Sequence, residues 1–400
     1  MNTLVVAPFL PYPLVFGGAI RLYHMLRMLS TFSDVSLLCY RSWDRDDPTE
    51  HLETICRRVV ISDSRPPSSG LRRARSLAST HSYQLLAHRS AELQRELDRL
   101  VSAERYDVVL VEMTPMGAFS LPSGLLHVLD LQNIEHELVE RRAEVAEGVL
   151  RRATLGLEAR KVKREEMAIC SSFDLVLTTS DREAEILRSW GVRSAETLVN
   201  TIDATTFSRP AGVVGAPNRI AFIGTTHVDA NRDGLRYFMR DVFPLVRQEV
   251  PDLEVDIVGG EPPPDIRAFD SLPGVTVTGF VDDVRDYMAR ATALIVPLRS
   301  GGGTRLKILE GLSFGVPTIS STIGAEGLDL VDGEHLLLAD DPASFATAVV
   351  RVLRDPELRE RLSVAGRRVV EEHYDWHSQA PRFQDLLQSA LAVQSAGRPA

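Results

Sequence analysis

The chain has 400 residues, 44% hydrophobic and 25% charged, with a net charge of -10 at pH 7. That length accommodates two domains of ordinary size, and that composition excludes a disordered chain. The acidic balance excludes a general nucleic-acid binder, which needs a basic surface stripe. Cys39, Cys56 and Cys170 stand far apart, with no CxxC spacing, so neither a disulfide framework nor a zinc site is indicated, as expected of a cytoplasmic protein. No stretch reaches the length of a membrane span. The apolar N-terminus lacks a basic leader and is broken by Pro8, Pro11 and Pro13, so it reads as a first strand and loop.

Short apolar, β-branched runs alternate with helical patterns along the chain, the signature of parallel sheets with helices on both faces. The first series of expected strands is Thr3 to Ala7, Val35 to Tyr40, Val59 to Ser62, Asp107 to Glu112, Leu125 to Asp130 and Asp174 to Thr178. A Gly/Pro/Ala-rich stretch, Pro210 to Pro217, interrupts it. The second series is Arg219 to Ile223, Leu253 to Val258, Val275 to Thr278, Ala293 to Pro297, Pro317 to Ser320 and His335 to Leu338. The restart predicts an N-terminal Rossmann-like domain over 1–200 and a second over 201–375, with residues 376–400 returning to the first. In that last segment Trp376, Phe383, Leu386, Leu387 and Leu391 recur at helical spacing, while 392–400 offers little to bury and is expected to fray. Arg57, Arg58, Arg65, Arg72, Arg73 and Arg75 concentrate positive charge. A solvated face is the commoner explanation of such a run, and a peripheral contact with an anionic membrane the rarer one.

The most informative stretch follows the strand at Ala293 to Pro297. Gly301, Gly302 and Gly303 let the backbone approach an anion closely, and the free amides of the next helix point to the same place. Thr304 is the expected N-cap and Gly315 the expected stop of a helix from Arg305 to Phe314, with Leu306, Leu309 and Leu312 facing the core. Gly303, Lys307 and Glu310, four and three residues apart, share another face and set a phosphate-binding cation one turn from a carboxylate. The pair Lys307–Glu310 by itself also fits an ordinary exposed ion pair. The triple glycine between a strand and a helix favours an anion site, and a sugar nucleotide presents a diphosphate and a ribose at about that separation.

This constellation resembles the retaining glycosyltransferases of the GT-B fold, in particular glycosyltransferase family 4. The resemblance is carried by Gly301-Gly-Gly-Thr-Arg-Leu-Lys-Ile-Leu-Glu310 with Gly315-Val-Pro-Thr-Ile-Ser and Gly324-Ala-Glu-Gly327. Supporting pieces are Gly17-Gly18, Val199-Asn200-Thr-Ile-Asp203, Ile223-Gly224, Ile257-Val258-Gly259, Thr278-Gly279-Phe280-Val281 and Glu371-Glu-His-Tyr-Asp-Trp376. It implies an α/β fold of two Rossmann-like, doubly wound domains facing a cleft, the first on the acceptor side and the second binding a nucleoside diphosphate sugar. By the resemblance Arg305 and Lys307 would hold the diphosphate during transfer, and Glu310 would accept hydrogen bonds from the ribose hydroxyls. Gly302, Gly303 and Thr304 would add backbone donors, Phe280 and Val281 would border the base, and Gly17, Gly18 and Gly224 would admit the donor closely. No metal or other cofactor is implied, because cations and helix amides can offset the leaving charge.

The departures are specific. Many members carry a second glutamate eight positions before the one matched by Glu310, where this chain has Gly302. Many place Arg and Lys after the first strand of the second domain, where Gly224-Thr-Thr-His-Val-Asp-Ala-Asn231 offers neither, so Arg305 and Lys307 would carry more of the phosphate charge. Gln132 stands where a histidine is common and cannot move a proton, which leaves Asp130 as the nearest titratable candidate. His24 and His136 read as packed or surface residues, and His227 as the better-placed histidine. The resulting expectation is a glycosyltransferase that moves a sugar to an acceptor hydroxyl or similar nucleophile with retention. A noncatalytic sugar-nucleotide-binding protein and a GT-B epimerase are the alternatives.

Overall fold

The computed structural model describes residues 1–14, 16–41, 48–64, 76–144, 146, 148–210, 212–213, 215–301 and 305–396. The chain divides into two compact units, residues 1–200 with 379–400, and residues 201–378. In the first, strands β1 (Asn2–Ala7), β2 (Asp34–Tyr40), β3 (Arg58–Ser62), β4 (Val108–Glu112), β5 (Leu126–Asp130), β6 (Leu175–Thr178) and β7 (Ala195–Thr197) form one parallel sheet in the order β3-β2-β1-β4-β5-β6-β7. In the second, β8 (Arg219–Ile223), β9 (Glu254–Val258), β10 (Val275–Gly279), β11 (Ala293–Val296), β12 (Thr318–Ser320) and β13 (Leu337–Leu338) are parallel in the order β10-β9-β8-β11-β12-β13.

All twelve strands expected from the sequence are present. The thirteenth, β7, reads Ala-Glu-Thr and is too short to show any alternation. Leu4, Val5, Val6, Val108, Val109, Leu110 and Val111 are almost wholly inaccessible, as strands covered on both faces require. The second unit does the same with Phe222, Ile257, Ile295 and Ile319, packed against Phe238, Val246, Phe345 and Val349 of its helices. Each sheet reverses its strand order once, between β1 and β4 in the first and between β8 and β11 in the second. In open parallel sheets the C-terminal ends of the strands at such a reversal leave a crevice.

The chain changes units at two segments that bond to each other. Ile202 donates to the Tyr374 carbonyl at 2.9 Å, Trp376 donates back to Ile202 at 3.1 Å, and the Asp375 carboxylate accepts from the Ala204 amide at 2.8 Å. The final helix, Trp376–Ala396, buries Phe383 and Leu387. Its end does not fray at residue 392 as the sequence suggested. Gln394 donates to the Leu125 carbonyl at 2.7 Å, which anchors the last turn, and residues 397–400 lie outside the described set. Among the described residues no helix is long and apolar enough to cross a membrane.

At the C-terminal edge of the second sheet, backbone packs on backbone. A Cβ added at Gly259 would sit 1.9 Å from the Gly224 carbonyl oxygen. Gly259→Ala should therefore force β8 and β9 apart and destabilise the second unit by about 1–3 kcal/mol. Gly156→Ala, inside the helix Val149–Cys170 and with nothing within 4 Å of the new carbon, should instead stabilise by about 0.5–1 kcal/mol. Thermal unfolding of the two variants checks both signs.

Candidate donor site

The helix Leu306–Ser313 follows β11 and the glycine turn, and it begins at the strand-order reversal of the second sheet. Leu306, Leu309 and Leu312 are buried, as their spacing predicts, and Gly315 ends the helix at φ +74°. The helix starts one residue later than expected, with Arg305 at the cap position. Gly302, Gly303 and Thr304, all expected at this site, lie outside the described residues.

Lys307 and Glu310 project one turn apart from this helix, both half-buried. The Lys307 ammonium crosses to the first turn of the helix Asp229–Tyr237, which follows β8. It donates to Asn231 Oδ1 at 2.9 Å and lies 4.5 Å from the centre of the Phe222 ring. Gly224 makes room for it, since a Cβ there would come within 2.5 Å of Nζ. Burial, with the Arg305 charge adding to it and Glu310 partly opposing, pulls the ammonium down to about 7. Burial likewise pushes the Glu310 carboxyl up to about 7 against the pull of Lys307. Among the described residues nothing donates a hydrogen bond to that carboxylate. A cation and an anion are thus held where water supports them poorly, which favours an outside partner for each.

Neighbouring strand ends complete the surroundings. Thr226 Oγ1 donates to the Gly260 carbonyl at 2.9 Å, and Gly259 donates to Gly279 at 3.2 Å, so the loops after β8, β9 and β10 meet. Phe280 follows Gly279, which has φ +77°, and its ring is 80% exposed beside Gly260. Val281 instead packs against the apolar cluster of Ile223, Met288 and Phe314. The loop after β11 is braced from β12: Ser321 Oγ bonds the Leu298 carbonyl and accepts from the Gly324 amide at 2.9 Å.

The first unit carries its own polar cluster at its reversal. Arg21, on the helix Gly17–Ser30, grips Asp130 with both arms, Nε to Oδ2 at 2.8 Å and Nη2 to Oδ1 at 2.5 Å, and both residues are buried. The remaining Arg21 nitrogen reaches the Leu198 carbonyl and Asn200 Oδ1, each at 2.9 Å. Glu112 ends β4 in register with Asp130 and is fully buried. Burial first, and the Asp130 charge second, hold its carboxyl well above the usual range. Gln132 Nε2 donates to Glu112 Oε1 at 2.5 Å and to the Gly18 carbonyl at 3.3 Å. Gly18 leaves room for that approach, since a Cβ would lie 2.3 Å from Gln132 Oε1 and displace the amide.

Residues 217–355, most of the second unit, match the family model of the glycosyl transferases group 1. The second unit therefore carries a group 1 glycosyltransferase segment. It is 23% identical over 387 residues, 93% of this chain and 96% of the other, to an uncharacterized 44.6 kDa protein of the cps region of Klebsiella pneumoniae. It is 28% identical over 219 residues, 52% of this chain and 58% of the other, to a phosphatidyl-myo-inositol mannosyltransferase of Mycobacterium leprae. The fold matches HepE of Anabaena, solved in complex with UDP and glucose, with a TM-score of 0.66 at 12% identity over 96% of this chain and 99% of that one. The fold is therefore GT-B.

Within this glycosyltransferase, Lys307, Gly224, Glu310 and Arg305 gather at one strand-order reversal, with Phe280 at the neighbouring strand end. Gly17, Gly18 and Asp130 belong to the other unit. Asp130 requires a correction. Its two oxygens are occupied by Arg21 and no part of it reaches solvent, so it is a structural anion and not a group placed to exchange a proton with substrate. His136 is likewise internal, its Nδ1 2.8 Å from the buried Glu166, while His227 is half exposed and 3.9 Å from Glu261. Asn231, Arg21 and Glu112 were not singled out from the sequence. Their partners lie 76, 109 and 20 residues away, separations that no local pattern reveals.

Removing one member of the Arg21–Asp130 pair leaves a buried charge uncompensated. Arg21→Met or Asp130→Asn should each cost about 3–5 kcal/mol, and the double variant should recover a large part of that. Urea unfolding of the three variants measures the coupling.

Proposed function

We propose that this glycosyltransferase uses a ribonucleoside diphosphate sugar as donor and transfers its glycosyl group, with retention, to an acceptor hydroxyl or similar nucleophile. The observation that carries this reading is the half-buried Lys307 held by Asn231 beside the side-chain-free Gly224, one turn from the hydrogen-bond-accepting Glu310. In it Lys307 and Arg305 bind the diphosphate and stabilise the charge that develops as the glycosidic bond to phosphate breaks. Glu310 accepts from the two ribose hydroxyls. Gly224, with Gly302, Gly303 and Thr304, brings backbone close to the phosphates, and the exposed Phe280 ring offers the base a stacking surface, with Val281 behind it. The first unit serves the acceptor side, and Gly17 and Gly18, which open its helix Gly17–Ser30, are donor-binding positions in this reading. Retention is inferred from the resemblance of the donor motif, and it calls for front-face attack assisted by the departing diphosphate.

Calorimetric titration with UDP, GDP, ADP and dTDP tests the donor site. One ribonucleotide should bind saturably, dTDP should bind more weakly, and Glu310→Ala and Lys307→Ala should each lose at least tenfold in affinity. Equal binding by both variants would remove the assignment. The anomeric configuration of the product, read by NMR, tests retention separately.

The perturbed ammonium gives a second test. At pH 8 a Lys307 poised near 7 is mostly neutral, and a bound diphosphate restores its charge, so binding must take up a proton. Titrations at pH 8 in buffers of different ionisation enthalpy should show an uptake approaching one proton, absent in Lys307→Met.

A further inference from the structure

The second unit has a cavity of about 820 Å³ at the edge of its sheet away from Lys307. Pro217, Thr292 and Pro317, one or two residues before β8, β11 and β12, line it, so it opens at the N-terminal ends of the strands. Its polar lining is dominated by three guanidinium groups, Arg209, Arg359 and Arg367, against one carboxylate, Glu360.

Arg209 and Arg359 are fixed by neutral partners, and Arg367 carries an ion pair as well. Arg209 Nη2 donates to the Met288 and Ala291 carbonyls, each at 3.2 Å, and its guanidinium lies 5.8 Å from the centre of the Phe314 ring. Arg359 donates to the carbonyls of Val352 and Leu353, each at 2.9 Å. Arg367 donates to the Ser313 carbonyl at 2.6 Å and to Ser208 Oγ at 3.3 Å, and it is ion-paired with Glu371 at 2.7 Å. Arg209 Nε is buried with no hydrogen-bond partner. Burial pulls the Arg209 guanidinium below its ordinary value with no carboxylate offsetting it. Carbonyls orient a guanidinium but do not neutralise it, so positive charge is left over inside a concavity whose exposed apolar lining is Val213 and Pro217.

From this cavity we infer a second ligand site, an anion pocket that takes a phosphorylated small molecule, its phosphate on Arg209 and Arg359 and its less polar part against the exposed Val213 and Pro217. The volume is that of a small-molecule site and far exceeds a single phosphate. The site is separate from the donor position. Lys307 stands in the first turn of the helix Leu306–Ser313, whereas Phe314 and Gly315, just past its other end, border the cavity.

The test is calorimetric titration of the full chain with inorganic pyrophosphate, in a Lys307→Ala background that disables the donor cation. One saturable event should remain there. It should weaken at least tenfold on adding Arg209→Met, and equally on adding Val213→Glu, which places a carboxylate on the exposed rim of the cavity without removing any structural bond of an arginine. Absence of binding in the Lys307→Ala protein, or unchanged binding after both additions, would overturn the proposal. Citrate binding as tightly as pyrophosphate would overturn the assignment to phosphate.

Discussion

The second unit depends on a place where two backbones touch and no side chain fits. Gly259 lies against the Gly224 carbonyl, and this contact closes the ends of β8 and β9 on each other. The same absence of a side chain at Gly224 opens the space that Lys307 enters from across the strand-order reversal. A parallel sheet makes a crevice at such a reversal because neighbouring loops leave in opposite directions. Here the crevice is furnished by one loop that contributes almost only backbone and one helix that contributes the charges. Asn231 then fixes the ammonium at a single position, so the cation is preorganised before any ligand arrives.

That arrangement opposes stability at the site. Burial displaces Lys307 and Glu310 toward their neutral forms, so in the empty protein neither charge is fully supported near neutrality. The two attract, yet they are spaced to meet different parts of a ligand and form no ion pair within bonding distance among the described residues. Groups with perturbed affinities for protons, set at the mouth of a strand-order reversal, make this a candidate binding site.

The first unit spends its buried charge differently. Arg21 and Asp130 satisfy each other with two bonds, and the third arm of Arg21 gathers Leu198 and Asn200, so the helix after β1, the end of β5 and the segment leaving β7 are tied together. Gln132 joins this cluster to Gly18 and to Glu112, whose carboxyl burial holds well above the usual range. A carboxylate at a strand end reads in sequence as a catalytic candidate. In this fold Asp130 is an anchor, because a cation from 109 residues away had already claimed it.

The sequence by itself determined the fold class and most of the framework. Twelve strands were legible because most are runs of apolar, β-branched residues, buried on both faces in the centre of each sheet, and the helix ending at Gly315 because its leucines recur at helical spacing before a glycine that adopts positive φ. The nearness in sequence of Lys307 and Glu310, three residues apart on one helix, made that part of the site readable as well. What only the tertiary structure decided depends on contacts between distant segments. These are Asn231 on Lys307, Arg21 on Asp130, the pairing of the three-residue β7, and the arginines that come from 209, 359 and 367 to line one cavity. Periodicity records which way a residue faces along its own element. It carries no record of which residue waits on the other side, and that partner decides whether a carboxylate is an anchor or a reagent.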